Sequence, residues 1–164
     1  MRFTGLLYRA LNPVYARDPL SGEGAARFGG RFNRIGRHAL YTSLDPDTAL
    51  REANQVGTLQ PTTLVAYRAD VGPLLNGRDP DALKPFAMTP AALADSNWRD
   101  QMLAHAPVPT QELAEKAVAK GFSGIIVPSF ARGASTDSLN LVLWQWEGAL
   151  TVIDDDNRLG LRPS

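Results

Sequence analysis

Residues 27–52 read RFGGRFNRIGRHALYTSLDPDTALRE and place a turn, a short strand and a helix one after another. The glycine pair at 29–30 predicts a turn, because glycine has no Cβ and adopts left-handed backbone angles without strain. The apolar run at 39–42 is typical of a strand. Asp45-Pro46 is a typical start of a helix, with Asp as N-cap and Pro in the first turn. These three elements could converge on one anionic ligand.

Five further apolar runs predict strands, because they are short, contain β-branched and aromatic residues, and are bounded by Gly, Pro or Asp. With the run at 39–42 they make six predicted strands. The five runs are residues 5–9, 63–68, 124–128, 139–146 and 150–153.

Three helices are predicted between these strands. Residues 72–90, in contrast, are rich in Gly, Pro, Asn and Asp and predict a long surface connection. The predicted helices are residues 45–56, ended by Gly57; part of residues 89–105; and residues 110–120, followed by the C-cap glycine Gly121.

Length and composition favour one compact domain over residues 1–164, since 164 residues with 44% hydrophobic content can bury one substantial core. The chain has no cysteine and two histidines, His38 and His105, so we expect no disulfide and no metal centre. No apolar run approaches the roughly 18 residues that span a bilayer, and the N-terminus lacks the apolar stretch of a secretory signal. We therefore expect a cytoplasmic protein without membrane contact.

The charge is zero overall but unevenly spread. Residues 1–51 hold eight arginines against four acidic residues, and arginines outnumber lysines fourteen to three in the whole chain. The guanidinium fork suits phosphate and carboxylate groups better than an ammonium does. A small phosphorylated ligand fits this distribution better than direct nucleic-acid binding, because a polyanion partner usually requires a net basic domain.

Three side chains in the opening segment are candidate ligand contacts. Arg31 follows the glycine pair and could bind a pyrophosphate, although it could equally be a surface arginine on a turn. Tyr41 and Ser43 alternate with their neighbours and so point to one face of their strand. The alternative for Tyr41 is a half-buried core aromatic with its hydroxyl at the rim.

A carboxylate and two further polar residues complete the candidate set. Glu52 lies on the small-residue side of the first predicted helix, although an exposed helical glutamate is the ordinary alternative. Ser129, after one strand, and Asn140, at the start of another, could supply hydrogen bonds. A serine nucleophile is disfavoured, since no Gly-x-Ser-x-Gly occurs. A Rossmann motif also fails, because Gly22-Glu-Gly24-Ala-Ala-Arg27 has arginine in place of the third glycine.

Taken together, these segments resemble the RES-domain toxins of bacterial toxin–antitoxin modules. The family is named after an arginine, a glutamate and a serine, which Arg31, Glu52 and Ser129 match here. Phe32 stands where the family often has tryptophan. The resemblance covers nearly the whole chain and rests on Tyr8-Arg9, residues 24–33, Gly36, residues 40–43, residues 49–52, residues 124–129 and Asn140.

The resemblance implies a compact α/β (α+β) fold similar to that of ADP-ribosyltransferases, with a split mixed β-sheet flanked by about three helices. It implies that NAD⁺ binds in the cleft and is attacked at its nicotinamide–ribose bond. The ADP-ribosyl group would pass to a cellular protein or, as the second choice, to phosphate or water. A non-catalytic nucleotide-binding protein is the alternative of another class. The implied partner is a helical, DNA-binding antitoxin encoded in the neighbouring gene.

The resemblance also implies roles for particular residues. Glu52 near the ribose would stabilise the oxocarbenium-like charge that develops as the C–N bond breaks. The expected catalytic residues are Arg31, Tyr41 and Glu52, and the expected NAD⁺-binding residues are Arg9, Gly30, Phe32, Asn33, Ser43, Ser129 and Asn140.

Overall fold

The computed structural model describes residues 1–54 and 60–162 and contains both strands and helices. Within these residues there are seven strands and six α-helices. The strands are β1 (Phe3–Leu11), β2 (Leu40–Ser43), β3 (Thr63–Val71), β4 (Leu74–Asn76), β5 (Gly124–Pro128), β6 (Leu139–Leu143) and β7 (Leu150–Val152). The helices are α1 (Glu23–Phe28), α2 (Pro46–Ala53), α3 (Pro80–Leu83), α4 (Pro90–Leu93), α5 (Trp98–Leu103) and α6 (Pro109–Ala119).

All seven strands join one mixed sheet in the order β4-β5-β6-β2-β1-β3-β7. The β4–β5 pair is parallel and the other neighbours are antiparallel. β1 pairs with β3 over nine residues, but within the described chain it shares one registered pair with β2, Tyr8↔Ser43. The sheet therefore divides into two halves that meet at this junction. This confirms the expected α/β fold with a split mixed sheet.

Each face of the sheet carries its own hydrophobic core. Ile125 and Val127 of β5 join a cluster with α3, α4 and α6, whereas Ile126, between them, joins the cluster formed with β1 and β3. This alternation follows from the two-residue period of a strand, which points successive side chains to opposite faces. Strand β5 is therefore buried on both sides.

The six predicted strands are all present, with ends that differ by a few residues. The predicted N-cap is also confirmed, since the Asp45 carboxylate accepts a hydrogen bond from the Thr48 amide at 2.8 Å. Helix α2 ends at Ala53, and the predicted end at Val56 and Gly57 lies outside the described residues. Residues 89–105 form two short helices, and α6 begins one residue before the predicted start.

The prediction of a surface connection at residues 72–90 was wrong. The segment contains β4, α3 and a 3₁₀ turn, and Leu74, Leu83 and Phe86 are among its buried side chains. Its Gly, Pro and Asp residues mark real turns, but each turn leads into apolar residues that pack on the sheet. The helices number six, against about three expected, because α3 lies in this segment, α1 was not predicted, and residues 89–105 form α4 and α5 instead of one helix. No described helix is long and apolar enough to cross a membrane.

Replacing Leu83 tests whether this segment belongs to the core. The Leu83 side chain is fully buried among core residues, so Leu83→Ala should lower the free energy of unfolding by about 2–5 kcal/mol through the cavity it leaves. Urea denaturation followed by circular dichroism measures the loss. Leu103→Ala is the matched control, because Leu103 is 69% exposed; equal stability of both variants would contradict the packing described.

Candidate active site

The junction between the halves of the sheet opens into two adjoining cavities. The smaller, about 310 Å³, lies between β1, β2 and α2 and is bordered by Tyr8 and Arg9. The larger, about 510 Å³, extends over the loop at residues 30–32 towards Trp98. Both are lined by Tyr41, Glu52, Ala53 and Asn140. These shared residues form the boundary of a single two-lobed cleft.

Glu52 is held at this boundary by two hydrogen bonds. Its Oε1 accepts from Ser129 Oγ at 2.5 Å and from Asn140 Nδ2 at 2.6 Å. Glu52 lies in the last turn of α2, Ser129 follows β5, and Asn140 belongs to β6. Hydrogen bonds to a carboxylate are charge-assisted and hence short and strong. They fix a negative charge in the middle of the cleft.

The hydrogen-bond network continues from Asn140 to β2. Ser43 Oγ donates to Asn140 Oδ1 at 2.7 Å, so each end of the Asn140 amide has a partner. Ser43 is buried at the floor of the smaller cavity. Ser129 lies behind Glu52 and lines neither cavity. The fold thus brings together Ser43, Glu52, Ser129 and Asn140, which are spread over 97 positions of sequence.

Tyr41 presents its ring to the cleft and turns its hydroxyl inwards. The hydroxyl donates to Asn33 Oδ1 at 2.6 Å and accepts from the Phe32 amide at 3.0 Å. Burial of the hydroxyl raises the pKa of Tyr41 well above its ordinary value. The hydroxyl therefore stays protonated and supports the loop at residues 30–33, while the exposed part of the ring remains available to a ligand.

The side chains of Asn33 and Phe32 are buried and support the fold. Asn33 is wholly buried and lines neither cavity, and its Nδ2 donates to the carbonyls of Ala25 and Arg37 at 2.7 and 3.0 Å. Phe32 borders the larger cavity but is 2% exposed and packs in the core. The structure therefore does not bring the Asn33 side chain to the cleft, where it was expected to bind NAD⁺. Asn33 acts on the cleft through Tyr41.

Gly30 is required by the close packing of this loop. An added Cβ would lie 2.6 Å from the Tyr41 hydroxyl oxygen and 2.7 Å from Asn33 Oδ1, distances that side-chain atoms do not tolerate. In this structure the close approach at Gly30 is between the loop backbone and the side chains of Tyr41 and Asn33. Gly30 also lines the larger cavity with its backbone.

Arg31 lines the larger cavity, and its guanidinium makes contacts within the protein. Its Nη1 donates to the carbonyls of Leu93 and Asp95 at 3.0 and 2.6 Å, and its Cζ is 4.7 Å from the Phe130 ring centroid. Burial lowers the pKa of Arg31, and the charge of Glu52 acts in the opposite direction. A guanidinium still remains protonated in proteins, so the cleft contains a fixed cation and a fixed anion.

Arg9 lies in the other lobe. Its Nη1 donates to the Pro19 carbonyl at 2.9 Å, and the Tyr67 hydroxyl donates to the same carbonyl at 2.7 Å. Arg9 lines the smaller cavity and Arg31 the larger. The cation that accompanies Arg31 in its own lobe is Arg99.

Sequence reasoning missed the aromatic and basic residues of the larger lobe. Trp98, Arg99 and Phe130 line it, and Arg99 Cζ lies 4.8 Å from the Trp98 ring centroid. A Trp-Arg pair at the start of a helix, after polar residues, could have indicated these two residues as candidate site residues. Phe130 follows Ser129 directly. The segment after β5 therefore supplies one residue that lines the larger cavity, Phe130, and one that holds Glu52, Ser129. Among the described residues, no group of three or more His, Cys, Asp and Glu side chains could hold a metal ion.

Comparisons with known proteins are consistent with this architecture. A model of the RES domain family matches residues 6–161. A chain of the crystal structure of the M. tuberculosis MbcT–MbcA toxin–antitoxin complex superposes with a TM-score of 0.63 at 22% identity, covering 94% of this chain and 84% of that one. At this identity the structural likeness concerns the fold. No curated protein gives a significant match.

Removing the Tyr41 hydroxyl should destabilise the protein. Tyr41→Phe leaves the Phe32 amide and Asn33 Oδ1 without their partner, which should cost about 1–3 kcal/mol of unfolding free energy. Urea denaturation is the measurement. Tyr15→Phe, at an exposed tyrosine, is the control and should change stability by less than about 0.5 kcal/mol. A Tyr41→Phe protein as stable as the parent would show that the hydroxyl does not support the loop.

Proposed function

The chain belongs to the RES domain family, and we propose on that premise that it is the cytoplasmic, NAD⁺-consuming toxin of a toxin–antitoxin pair. The observation that carries the proposal is the Glu52 carboxylate, fixed by Ser129 and Asn140 between the two lobes of the cleft. A dinucleotide also has two halves, and the bond to be broken would lie beside this carboxylate. NAD⁺ is the substrate, and no metal takes part.

Cleavage of the nicotinamide–ribose bond builds positive charge on the ribose. A carboxylate already held in place stabilises that charge without reorganising during the reaction, which is the largest contribution in many enzymes. Ser129 and Asn140 keep Glu52 oriented towards the sugar. Ser43 keeps Asn140 oriented in turn. These three polar residues therefore hold the catalytic carboxylate in place through hydrogen bonds.

The diphosphate of NAD⁺ would be held in the larger lobe. The two bonds from Arg31 Nη1 leave the donors on Nε and Nη2 for a phosphate oxygen. Arg99 lines the same cavity and supplies a second cation. The exposed part of the Tyr41 ring would stack on the nicotinamide or its ribose.

ADP-ribosyl transfer to a cellular protein is the outcome we propose first. Phosphorolysis is the second, because Arg9 in the smaller cavity would give an anionic acceptor a cation at that side of the cleft; hydrolysis shares the same bond-breaking step. Incubation of the purified protein with NAD⁺ should release nicotinamide. Addition of phosphate or of cell lysate then separates the three outcomes, and bound NAD⁺ without any nicotinamide release would indicate a non-catalytic nucleotide-binding protein.

The proposed partner is a small helical, DNA-binding antitoxin encoded beside this gene. A chain of similar fold occurs in a solved toxin–antitoxin complex, which supports a partner of that kind. Co-expression of the neighbouring reading frame with a tagged copy of this chain should yield a stable complex and restore growth. Loss of toxicity without complex formation would argue against direct binding.

Glu52→Gln should separate catalysis from binding. The amide retains the shape and most hydrogen bonds but loses the charge that acts in the transition state. Nicotinamide release should fall about 10²-fold or more while the Kd for NAD⁺ changes little. The variant should also no longer stop growth when expressed alone. A folded Glu52→Gln protein that turns over NAD⁺ at the parent rate would remove Glu52 from the mechanism.

Arg31→Ala should weaken NAD⁺ binding, since a charge-assisted contact worth about 1.5–3 kcal/mol is removed, which corresponds to a roughly 10- to 150-fold higher Kd. It should also lower the thermal midpoint slightly, because Arg31 bonds the Leu93 and Asp95 carbonyls. Binding calorimetry and a thermal melt provide the two values. Arg27→Ala, at an exposed arginine of α1, is the control. Unchanged affinity in Arg31→Ala would place the diphosphate elsewhere.

A further inference from the structure

The backbone of the loop that carries Arg31 is held by two side chains from the first turn of α6. Thr110 Oγ1 donates to the Arg31 carbonyl at 2.5 Å, and Gln111 Nε2 donates to the Gly30 carbonyl at 2.9 Å. Some 80 positions of sequence separate the donors from their acceptors. Helix α6 and the loop are therefore joined by adjacent hydrogen bonds to two consecutive residues.

Both donors are buried, although threonine and glutamine are usually exposed. Thr110 is 2% exposed and Gln111 is 8% exposed. A buried polar group must be hydrogen-bonded to offset the loss of water, and these two side chains find acceptors in the loop. Burial thus makes the two hydrogen bonds obligatory, and their geometry is set by the position of α6.

Helix α6 is a rigid base for this attachment. Leu113, Ala114 and Ala117 pack in the core against β5 and β6, so the helix cannot shift without disturbing the sheet. The residues Pro109-Thr110-Gln111 are the N-terminal turn of this helix. Helix α6 therefore fixes the position of the loop relative to the sheet that also carries Asn140.

We propose that Thr110 and Gln111 are positioning residues that act through the backbone at residues 30–31 to hold Arg31 over the larger cavity. The proposal rests on the proposed function, in which Arg31 binds the diphosphate of NAD⁺. A guanidinium at the end of a long side chain magnifies a small tilt of its Cα–Cβ bond, and catalytic geometry tolerates errors well under 1 Å. The hydrogen bonds from Thr110 and Gln111 to the Arg31 and Gly30 carbonyls prevent that tilt.

Trp144 holds the next carbonyl and has a different role. Its Nε1 donates to the Phe32 carbonyl at 2.9 Å, and its ring lies in the same core cluster as Phe32. Replacing Trp144 would open the core as well as the loop. Thr110 is the better test, because its hydroxyl can be removed with little change of shape.

Hydrogen exchange of the loop amides tests the proposal independently of NAD⁺. Thr110→Val removes the donor and should speed exchange at residues 30–33 by about tenfold, since one hydrogen bond is worth about that factor. Thr110→Ser keeps a donor and should restore protection. Lys116→Ala, at an exposed position of α6, is the control and should leave these amides unchanged. Unaltered exchange in Thr110→Val would overturn the proposal.

A double-mutant cycle in NAD⁺ binding tests the link to Arg31. Thr110→Val should raise the Kd by about tenfold, with rescue by Thr110→Ser, and should add nothing in an Arg31→Ala background. Full additivity of the two losses would overturn the positioning role. If the parent protein neither binds NAD⁺ nor releases nicotinamide, the proposed function is wrong, and hydrogen exchange alone then decides whether Thr110 holds the loop.

Discussion

The cleft depends on the interruption of the hydrogen-bond ladder between β1 and β2. A continuous antiparallel ladder would place these strands about 4.8 Å apart along their length and leave no room for a ligand. Here they share the pair Tyr8↔Ser43 and then diverge. Helix α2 follows β2 directly, with Asp45 as its cap, and lies at the opening. The same interruption therefore creates the cavity and places Glu52 beside it.

The side chains at this opening provide the connection that the backbone lacks. Ser43, Asn140 and Ser129 link β2, β6 and the end of β5 to the Glu52 carboxylate. Glu52 is half-buried, and two short charge-assisted hydrogen bonds offset the free energy that partial loss of water from its carboxylate costs. The network thus contributes to the fold and, in the proposed reaction, holds a charge ready for a transition state.

Local sequence signals were sufficient for elements whose structure is locally determined. The β-branched run Gly124–Pro128 is a strand with the predicted ends, and the Asp45 cap starts α2 because its acceptor and donor are three residues apart. The segment at 72–90 was misread because its buried residues, apart from the pair Leu74-Leu75, occur singly and show no regular period. The sequence placed Tyr41 and Arg31 at the candidate site, and both line the larger cavity, but it did not indicate their hydrogen-bond partners. Their hydrogen-bond partners, in Asn33 and in residues 93–95, are chosen by tertiary packing.

The engagement of Arg31 explains how one arginine can serve the fold and a ligand. Desolvating a guanidinium is unfavourable, and the carbonyls of Leu93 and Asp95 with the Phe130 ring offset this cost. Because Nη1 alone makes both hydrogen bonds, the side chain is immobilised before a ligand arrives. An anion that binds the remaining donors then does not have to order the side chain, a step that costs about 0.5–1.5 kcal/mol for a long side chain. In the proposed function, the contacts that stabilise Arg31 in the fold are therefore the ones that prepare it for the diphosphate of NAD⁺.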